Sequence, residues 1–286
     1  MVGSNLSKEL TKTNHTVLAT GRGENRLPPS YLHDNFQYRS LDITEKEQVM
    51  EIVIGFKPDL IIHGAAMTQV DECEEKKMLS YKTNVEATDH LIHAAEEINA
   101  RYCYLSTDFV FSGDNGPYVE DDETGPVNYY GMTKELAEQH IMQSNLSWTI
   151  IRTILLYGKA DHLNRSNFIY WVKENLEANK PIRVVADQIR TPTYIPDLTK
   201  AIIDMAEKGS QGLYHISGKE VMSPYEMSLV IAQKLGLDTS LIQPVDAQTF
   251  TQKGRRPLKT GFIIEKAMKD TAFHPTPFTE ALDQIF

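Results

Sequence analysis

A tyrosine and a lysine four residues apart, Tyr130 and Lys134, are the pair in this sequence best placed for acid–base chemistry. Residues at i and i+4 lie on one face of a helix, so the lysine is expected close to the tyrosine hydroxyl. A nearby ammonium favours the phenolate, which lowers the tyrosine pKa, and it gives the phenol a proton relay. The same spacing also occurs between a surface tyrosine and a solvated lysine, so a second element is needed to indicate a site.

The second element is the run RYCYLSTDFVFSG, residues 101–113, in which a predicted strand ends in Ser106, Thr107 and Asp108. Ligands of parallel α/β proteins bind outside the carboxyl ends of the strands. A hydroxyl at this end, such as that of Thr107, can hydrogen-bond the same carbonyl oxygen that Tyr130 would protonate. The two elements together predict a site for carbonyl chemistry.

Short apolar runs alternate along the chain with longer amphipathic segments that would position these residues. The runs at 15–20, 58–66, 100–107 and 146–153 are predicted strands, and the stretches at 3–13, 44–56, 78–99 and 130–144 are predicted helices. This order is the signature of parallel βαβ units, whose strands are covered on both faces. The fold class predicted is α/β, a doubly wound (Rossmann) parallel sheet.

The residue pattern changes after Gly158. A long amphipathic segment at 163–179 is followed by a C-terminal third that is polar and contains several prolines. We therefore expect a dinucleotide-binding domain over 1–158 and a smaller substrate-binding lobe over 159–286. The second lobe is expected to lend some of its elements back to the first domain.

Composition excludes several classes of function. The 286 residues carry 29 Lys+Arg against 39 Asp+Glu, a formal net charge of −10, which argues against a nucleic-acid or anionic-membrane partner. Two cysteines and no spaced Cys/His set predict neither a disulfide framework nor a metal site. No signal core or membrane-spanning run is found, so we expect a soluble, cytoplasmic protein.

Together with the two elements around Thr107 and Tyr130, several further segments resemble those of one family, the dTDP-4-dehydrorhamnose reductases, which are extended short-chain dehydrogenases/reductases. These segments cover nearly the whole chain: AAMTQVDECE at 65–74, Asn84-Val85, RTILLYG at 152–158, DQIRTPTYIPDL at 187–198, GLYHISG at 212–218, and Arg256-Pro257. The resemblance implies a catalytic triad of Thr107, Tyr130 and Lys134. Tyr130 would be the general acid, Lys134 would tune it and hold the nicotinamide ribose, and Thr107 would polarise the ketone.

The cofactor signals are mixed. NAD-selective folds place an acidic residue after the second strand, whereas Arg22 stands there in this chain, which suits the extra phosphate of NADP. We therefore expect NADPH, with NADH as the alternative donor and a solvated loop arginine as the alternative interpretation. By the resemblance, further cofactor-binding residues are Asp42 and Ile43 near adenine, Ala65, Ala66 and Thr68 after a strand, and Asn84. Asp42 could instead cap a helix beginning at Thr44, and the two alanines could serve packing alone.

The start of the chain departs from the family. The family opens with a strand and a glycine-rich turn that places pyrophosphate at a helix N-terminus. Here Gly3 resembles the last glycine of that turn, and the first strand and earlier glycines are absent. An incomplete sequence, or a degenerate member with weakened cofactor binding, would explain this. We favour the first, because the rest of the fingerprint is intact.

The predicted substrate residues are Asp108, Leu155, Gln188 and Arg190, and two of them are departures. Leu155 stands where the family usually has tryptophan, and it could serve as core packing. Arg190 replaces the small residue inside DQ-x-G-x-PT, and it could be a surface residue or bind a diphosphate. Both changes weaken the assignment of the sugar.

The function predicted is NADPH-dependent reduction of a 4-keto-6-deoxy nucleotide sugar, dTDP-4-dehydro-L-rhamnose to dTDP-L-rhamnose. An epimerase or dehydratase of the same superfamily is one alternative. A non-catalytic subunit resembling the methionine adenosyltransferase β subunit is another, because that protein shares the R-x-x-x-L-Y-G pattern of residues 152–158. A homodimer is possible. The charged run 71–77 is interpreted as a solvated helix face, and His63 as packed or hydrogen-bonded.

Overall fold

Parallel strands and surrounding helices make up the protein in a computed structural model, which describes residues 1–159, 167–271 and 273–286. The strands are β1 Val17–Gly21, β2 Phe36–Ser40, β3 Leu60–His63, β4 Arg101–Thr107, β5 Trp148–Thr153, β6 Leu156–Tyr157, β7 Ile182–Val185, β8 Thr193–Tyr194, β9 Gly212–Ile216 and β10 Ile242–Val245. The helices are α1 Val2–Leu10, α2 Lys46–Phe56, α3 Val70–Glu75, α4 Lys77–Tyr81, α5 Ala87–Ile98, α6 Tyr129–Gln143, α7 Phe168–Glu177, α8 Ile195–Lys208, α9 Pro224–Leu235, α10 Glu265–Thr271 and α11 Phe278–Ile285.

Four strands form the central sheet in the order β3-β4-β5-β9, and every pair in it is parallel. β1 and β2 form a separate parallel pair, as do β6 with β8 and β7 with β10. Within the described ranges β1 is not paired with β3. The predicted α/β class with parallel sheets is confirmed.

The central sheet is covered on both faces because neighbouring residues of its strands point in opposite directions. Tyr102 and Tyr104 of β4 pack with α2, α5 and α6 in one hydrophobic cluster. Cys103 between them packs in another cluster, with Leu198, Ile202 and Met205 of α8. Burial on both sides explains why the strand sequences are continuous apolar runs. Both cysteines are free and buried.

A third hydrophobic cluster is built almost wholly from the C-terminal part of the chain, from α7, β7, α9, β10 and α11. β9 comes from the same part of the chain but pairs with β5 in the central sheet. The domain boundary near Gly158 stays a prediction. Across the described ranges, no helix combines the length and the apolar composition that crossing a membrane requires.

Three elements differ from the predictions. The helix expected over 78–99 is divided into α4, a π-helical turn at Lys82–Glu86 and α5. β2 was not predicted, because only Phe36 of its five residues is buried and the run FQYRS lacks a strong apolar pattern. The helix expected from 163 is α7 and begins at Phe168; residues 160–166 lie outside the described residues.

Candidate active site

The end of β4 and the start of α6 lie in close contact at Gly131. β4 ends at Thr107, whose side chain accepts a hydrogen bond from the backbone N–H of Phe109. α6 begins at Tyr129, and the side chain of Asn128 caps it by accepting from the N–H of Gly131 at 2.8 Å. A Cβ on Gly131 would lie 2.1 Å from the carbonyl oxygen of Phe109. Only glycine lets the helix approach the end of the strand this closely, and the sequence analysis had missed this role.

Tyr130 and Thr107 are both buried, at 8% and 7% exposure. Burial raises the pKa of Tyr130, and a hydrogen bond with the Thr107 side chain opposes that rise. The expected lowering of the tyrosine pKa is therefore wrong for this structure, because desolvation of the phenolate outweighs the favourable contacts. A phenol that keeps its proton at neutral pH is suited to act as an acid.

Lys134 lies on the same helix, with its ammonium inside the protein. Its Nζ donates to the carbonyl oxygen of Leu105 at 2.7 Å and sits 3.9 Å from the centre of the Tyr104 ring. Burial lowers the pKa of Lys134 to about 7, and the negative charge of Glu138 opposes the shift. The lysine can therefore gain or lose a proton near neutral pH, as a proton relay requires.

Glu138 and Arg152 form an ion pair near Lys134 that was not predicted from the sequence. The guanidinium contacts the carboxylate through Nε at 3.0 Å and Nη2 at 2.6 Å. Both side chains are almost fully buried, at 1% and 3% exposure. The pair joins α6 to β5, so it fixes the catalytic helix on the sheet.

Three of the predicted cofactor residues, Ala65, Ala66 and Thr68, lie in the loop after β3. Ala65 and Thr68 are exposed and Ala66 is half-buried. Asn84 is buried instead, and its amide exchanges two hydrogen bonds with the backbone of Met67 and donates a third to Thr133 at 3.0 Å. Asn84 therefore holds the loop against α6. Its predicted role becomes one of shaping the surface rather than offering a free amide.

Arg22 and Asp42 follow the ends of β1 and β2. Arg22 is exposed, and its positive charge is one of the groups that lower the pKa of Asp42. The largest cause is the backbone N–H of Thr44, which donates to the Asp42 carboxylate at 3.0 Å. The alternative of a helix cap is wrong, because α2 begins only at Lys46.

The cofactor-side residues fit a dinucleotide in their chemistry. Small and exposed residues follow β3, a cation and a carboxylate follow β1 and β2, and Gly3 lies in the first turn of α1. The N-terminus of a helix binds phosphate through its backbone N–H groups. Ile43 is half-buried, with its carbonyl 3.2 Å from Nδ1 of His90.

His63 is buried with its Nδ1 2.7 Å from the Tyr102 hydroxyl, as expected.

The four predicted substrate residues lie in different settings. Asp108 and Arg190 are buried, so the surface interpretation of Arg190 is wrong. Leu155 has a left-handed backbone (φ 38°) and packs against two hydrophobic clusters, as its core interpretation expected. Gln188 is half-buried, and its Nε2 finds no hydrogen-bond partner among the described residues. No group of three metal-binding side chains occurs in the described part of the chain.

The charged run 71–77 is not simply a solvated helix face. Asp71 accepts hydrogen bonds from both terminal nitrogens of Arg256, at 2.5 and 3.0 Å. Glu74 accepts from the backbone N–H of Tyr129 at 2.7 Å. The correction has a physical cause: α3 lies between the start of the catalytic helix and a C-terminal segment, and its carboxylates bind the donors that both present.

This fold and this arrangement of threonine, tyrosine and lysine define an extended short-chain dehydrogenase/reductase. The chain belongs to the RmlD substrate binding domain family, which it matches over residues 1–286. The predicted family is thereby confirmed.

Three relatives illustrate the range of this family. The spore coat polysaccharide biosynthesis protein SpsK of Bacillus subtilis is 32% identical over 85% of this chain and 84% of its own. A dTDP-4-dehydrorhamnose reductase of Aggregatibacter actinomycetemcomitans is 30% identical over 94% of this chain and 97% of its own. Methionine adenosyltransferase 2 subunit beta of Mus musculus is 30% identical over 96% of this chain and 89% of its own.

Two crystal structures share the fold over almost the full length. A dTDP-4-dehydrorhamnose reductase of Clostridium acetobutylicum has a TM-score of 0.85 and 26% identity, covering 99% of this chain and 94% of its own. The dTDP-4-dehydrorhamnose reductase of Bacillus anthracis, in complex with NADP, has a TM-score of 0.83 and 29% identity, covering 100% of this chain and 96% of its own.

Proposed function

We propose that this protein is an NADPH-dependent reductase of a 4-keto-6-deoxy nucleotide sugar that converts dTDP-4-dehydro-L-rhamnose into dTDP-L-rhamnose. The observation that carries the proposal is the burial of three side chains where β4 ends against the start of α6: Thr107 at the end of the strand, and Tyr130 and Lys134 on the helix. The reductases of Aggregatibacter and Bacillus anthracis support the choice of substrate and donor.

Tyr130 acts as the acid in this proposal. NADPH, when bound, supplies the hydride that reaches the keto carbon. Tyr130 gives its proton to the keto oxygen, and burial keeps that proton in place until the oxygen becomes basic. The Thr107 hydroxyl donates to Asp108 in the structure, and its proton would rotate about the Cβ–Oγ bond to donate to the same keto oxygen. Lys134 stabilises the negative charge that develops on that oxygen and on the phenol.

The cofactor would lie across the carboxyl ends of β1, β2 and β3. The first turn of α1, with Gly3, would face the pyrophosphate, and Asp42 with Ile43 would border the adenosine. Ala65, Ala66 and Thr68 would leave room for the dinucleotide backbone. The exposed cation of Arg22 favours the extra phosphate of NADPH over NADH.

The substrate would approach from the side of the C-terminal lobe. Gln188 has a buried amide nitrogen with no hydrogen-bond partner among the described residues, and Leu155 brings an apolar side chain at a backbone with φ of 38°. An amide suits the polar groups of a nucleotide sugar, and an apolar surface suits a 6-deoxy methyl group.

The test measures NADPH oxidation with a panel of 4-keto nucleotide sugars. One NADPH consumed per sugar reduced, with dTDP-4-dehydro-L-rhamnose as the best substrate, is the expected result. Sugar conversion without net NADPH consumption would favour an epimerase or dehydratase and overturn the proposal.

A second candidate is a regulatory subunit without turnover of its own. It is favoured by the likeness to methionine adenosyltransferase 2 subunit beta over 96% of the chain. Absence of turnover over the whole panel, together with a stable complex with a methionine adenosyltransferase on size-exclusion chromatography, would support this candidate against the reductase.

A further inference from the structure

A buried ion pair lies directly beside the catalytic threonine. The Nε of Arg190 is 3.6 Å from Oδ2 of Asp108, and both side chains are at least 95% buried. The same Oδ2 accepts a hydrogen bond from the hydroxyl of Thr260 at 2.5 Å. The other oxygen, Oδ1, accepts a hydrogen bond from the hydroxyl of Thr107 at 3.2 Å.

Arg190 is fixed from several directions. Its Nη1 donates to the carbonyl oxygens of Ile189 and Leu258, at 2.8 and 2.9 Å, and its Nη2 donates to that of Pro257 at 2.6 Å. Its backbone exchanges two hydrogen bonds with Met222. These bonds occupy the guanidinium within the protein, so they do not support the predicted binding of a diphosphate. They join segments of the C-terminal part of the chain to one another, and the ion pair with Asp108 connects these segments to the end of β4.

The contacts around Thr107 determine the direction of its hydroxyl. Threonine is branched at Cβ, so a rotation about χ1 replaces the hydroxyl by a methyl group. The hydroxyl donates to Asp108 and accepts from the N–H of Phe109, and it lies close enough to Tyr130 to affect the pKa of that phenol. Loss of the Asp108 contact would remove one of the two hydrogen bonds that hold this rotamer.

We propose that Arg190 and Asp108 are positioning residues that hold the Thr107 hydroxyl toward Tyr130. The positive charge of Arg190 stabilises the buried carboxylate of Asp108. That carboxylate accepts the hydrogen bond that orients the Thr107 hydroxyl. The role in catalysis rests on the proposed function.

The kinetic test compares Arg190→Gln, Arg190→Lys and Asp108→Asn with the wild type. We expect kcat to fall about tenfold or more in Arg190→Gln and Asp108→Asn, because displaced catalytic groups react slowly, while the KM for NADPH stays within about twofold. Arg190→Lys, which keeps the charge, is expected to recover part of kcat. The matched control is Arg183→Gln, an exposed arginine on β7, with kcat unchanged.

An unfolding test examines the ion pair without turnover. Burial raises the pKa of Asp108, and Arg190 opposes that rise, so removal of Arg190 raises the pKa further. A carboxyl with a raised pKa in the folded state loses its contribution to stability as pH rises through that pKa. The difference in Tm between wild type and Arg190→Gln should therefore widen as pH rises above the ordinary range of a carboxyl pKa.

The charged and titratable groups around the pair are few, which makes the pH test specific. Asp108 faces Arg190 and Tyr130, and Asp187 acts on Arg190 from the other side. In the Asp108→Asn background, the Tm difference caused by Arg190→Gln should not change with pH. A change of equal size in that background would assign the effect to another group and overturn the pairing.

The outcomes separate the two proposals. If the wild type is active and Asp108→Asn has the same kcat, the positioning role is overturned and the proposed reductase function is not affected. A wild type that reduces none of the sugars overturns the reductase, and the Tm comparison still decides whether Arg190 keeps Asp108 charged. A difference in Tm that does not depend on pH overturns the inference in either case.

Discussion

Two regions of the molecule are built in opposite ways: the region around Thr107, Tyr130 and Lys134, called here the catalytic end, and the separate β1–β2 pair with Arg22, called here the nucleotide end after the binding proposed for it. At the catalytic end, β4 and β5 are mostly buried, and the functional groups of Thr107, Tyr130 and Lys134 lie inside the protein. At the nucleotide end, β1 has no fully buried residue and Arg22 is exposed. The first region is held by buried contacts that form on folding, whereas the second offers its groups to solvent.

The contrast separates two kinds of energetic effect. A buried donor or ion costs several kcal/mol when its partner is removed, because the remaining group is left desolvated. An exposed charge costs little, because water and salt replace the partner. Substitutions at the catalytic end should therefore change stability and kcat, and substitutions at the nucleotide end should change cofactor binding alone.

The largest effect is expected for Tyr130→Phe. Loss of the acid should lower kcat by about 10²- to 10⁴-fold, the usual contribution of a positioned acid or base. The dissociation constant of NADPH, measured by fluorescence, should stay within about twofold of the wild-type value, because the hydroxyl contacts Thr107 in the structure. Retained turnover would contradict the assignment of the acid, and lost NADPH binding would show that the two ends are not independent.

Glu138→Gln should cause the largest loss of stability. The substitution leaves Arg152 buried without its charge partner, which costs about 3–5 kcal/mol in the free energy of unfolding. Urea titration measures the loss. The matched control is Asp204→Asn, which breaks the exposed pair with Lys200 on α8 and should cost about 0–1 kcal/mol. Equal losses would refute the contrast between buried and exposed pairs.

The sequence predicted the two elements of the catalytic end well because their signals are local. β4 and α6 lie within one or two residues of the predicted boundaries, and Thr107, Tyr130 and Lys134 come from two short segments. Their side chains follow from strand and helix periodicity. Periodicity states which residues share a face, but it does not state how deeply they are buried, so the direction of the Tyr130 pKa was predicted wrongly.

The missed features depend on contacts between distant parts of the chain. Asp71 and Arg256 are 185 residues apart, and Asp108 and Thr260 are 152 apart. A single sequence contains no local pattern for such pairs. The acidic run on α3 was therefore interpreted as solvated, and a surface position stayed open for Arg190 beside its predicted role toward substrate. The burial of Arg190 follows only from the crossing of three segments around Asp108.

The pH dependence of stability should identify the buried lysine. Burial lowers the pKa of Lys134 to about 7 in the folded protein, below the value for the unfolded chain. Between these two pKa values the unfolded chain binds the additional proton, so stability rises with pH. Wild type should gain up to a few kcal/mol over Lys134→Met from about pH 7 to about pH 10.

The control for this titration is Lys200→Met, which removes an exposed lysine on α8. A constant difference between wild type and Lys134→Met would show that the lysine keeps an ordinary pKa. The catalytic end would then be more open to water than the contrast requires.

The smallest effect is expected for Arg22→Gln at the nucleotide end. If Arg22 binds the extra phosphate of NADPH, its loss should raise the KM for NADPH about three- to tenfold and leave that for NADH within about twofold, with kcat and Tm unchanged. Arg26→Gln is the matched control, because Arg26 is exposed in the same loop. If Arg22→Gln raised the KM for NADPH and for NADH equally, or if Arg26→Gln had the same effect as Arg22→Gln, the preference for NADPH would come from the overall positive charge of the loop and not from Arg22. A loss of Tm with Arg22→Gln would show that the nucleotide end is also held together by its charges, and the contrast between the two ends would fail.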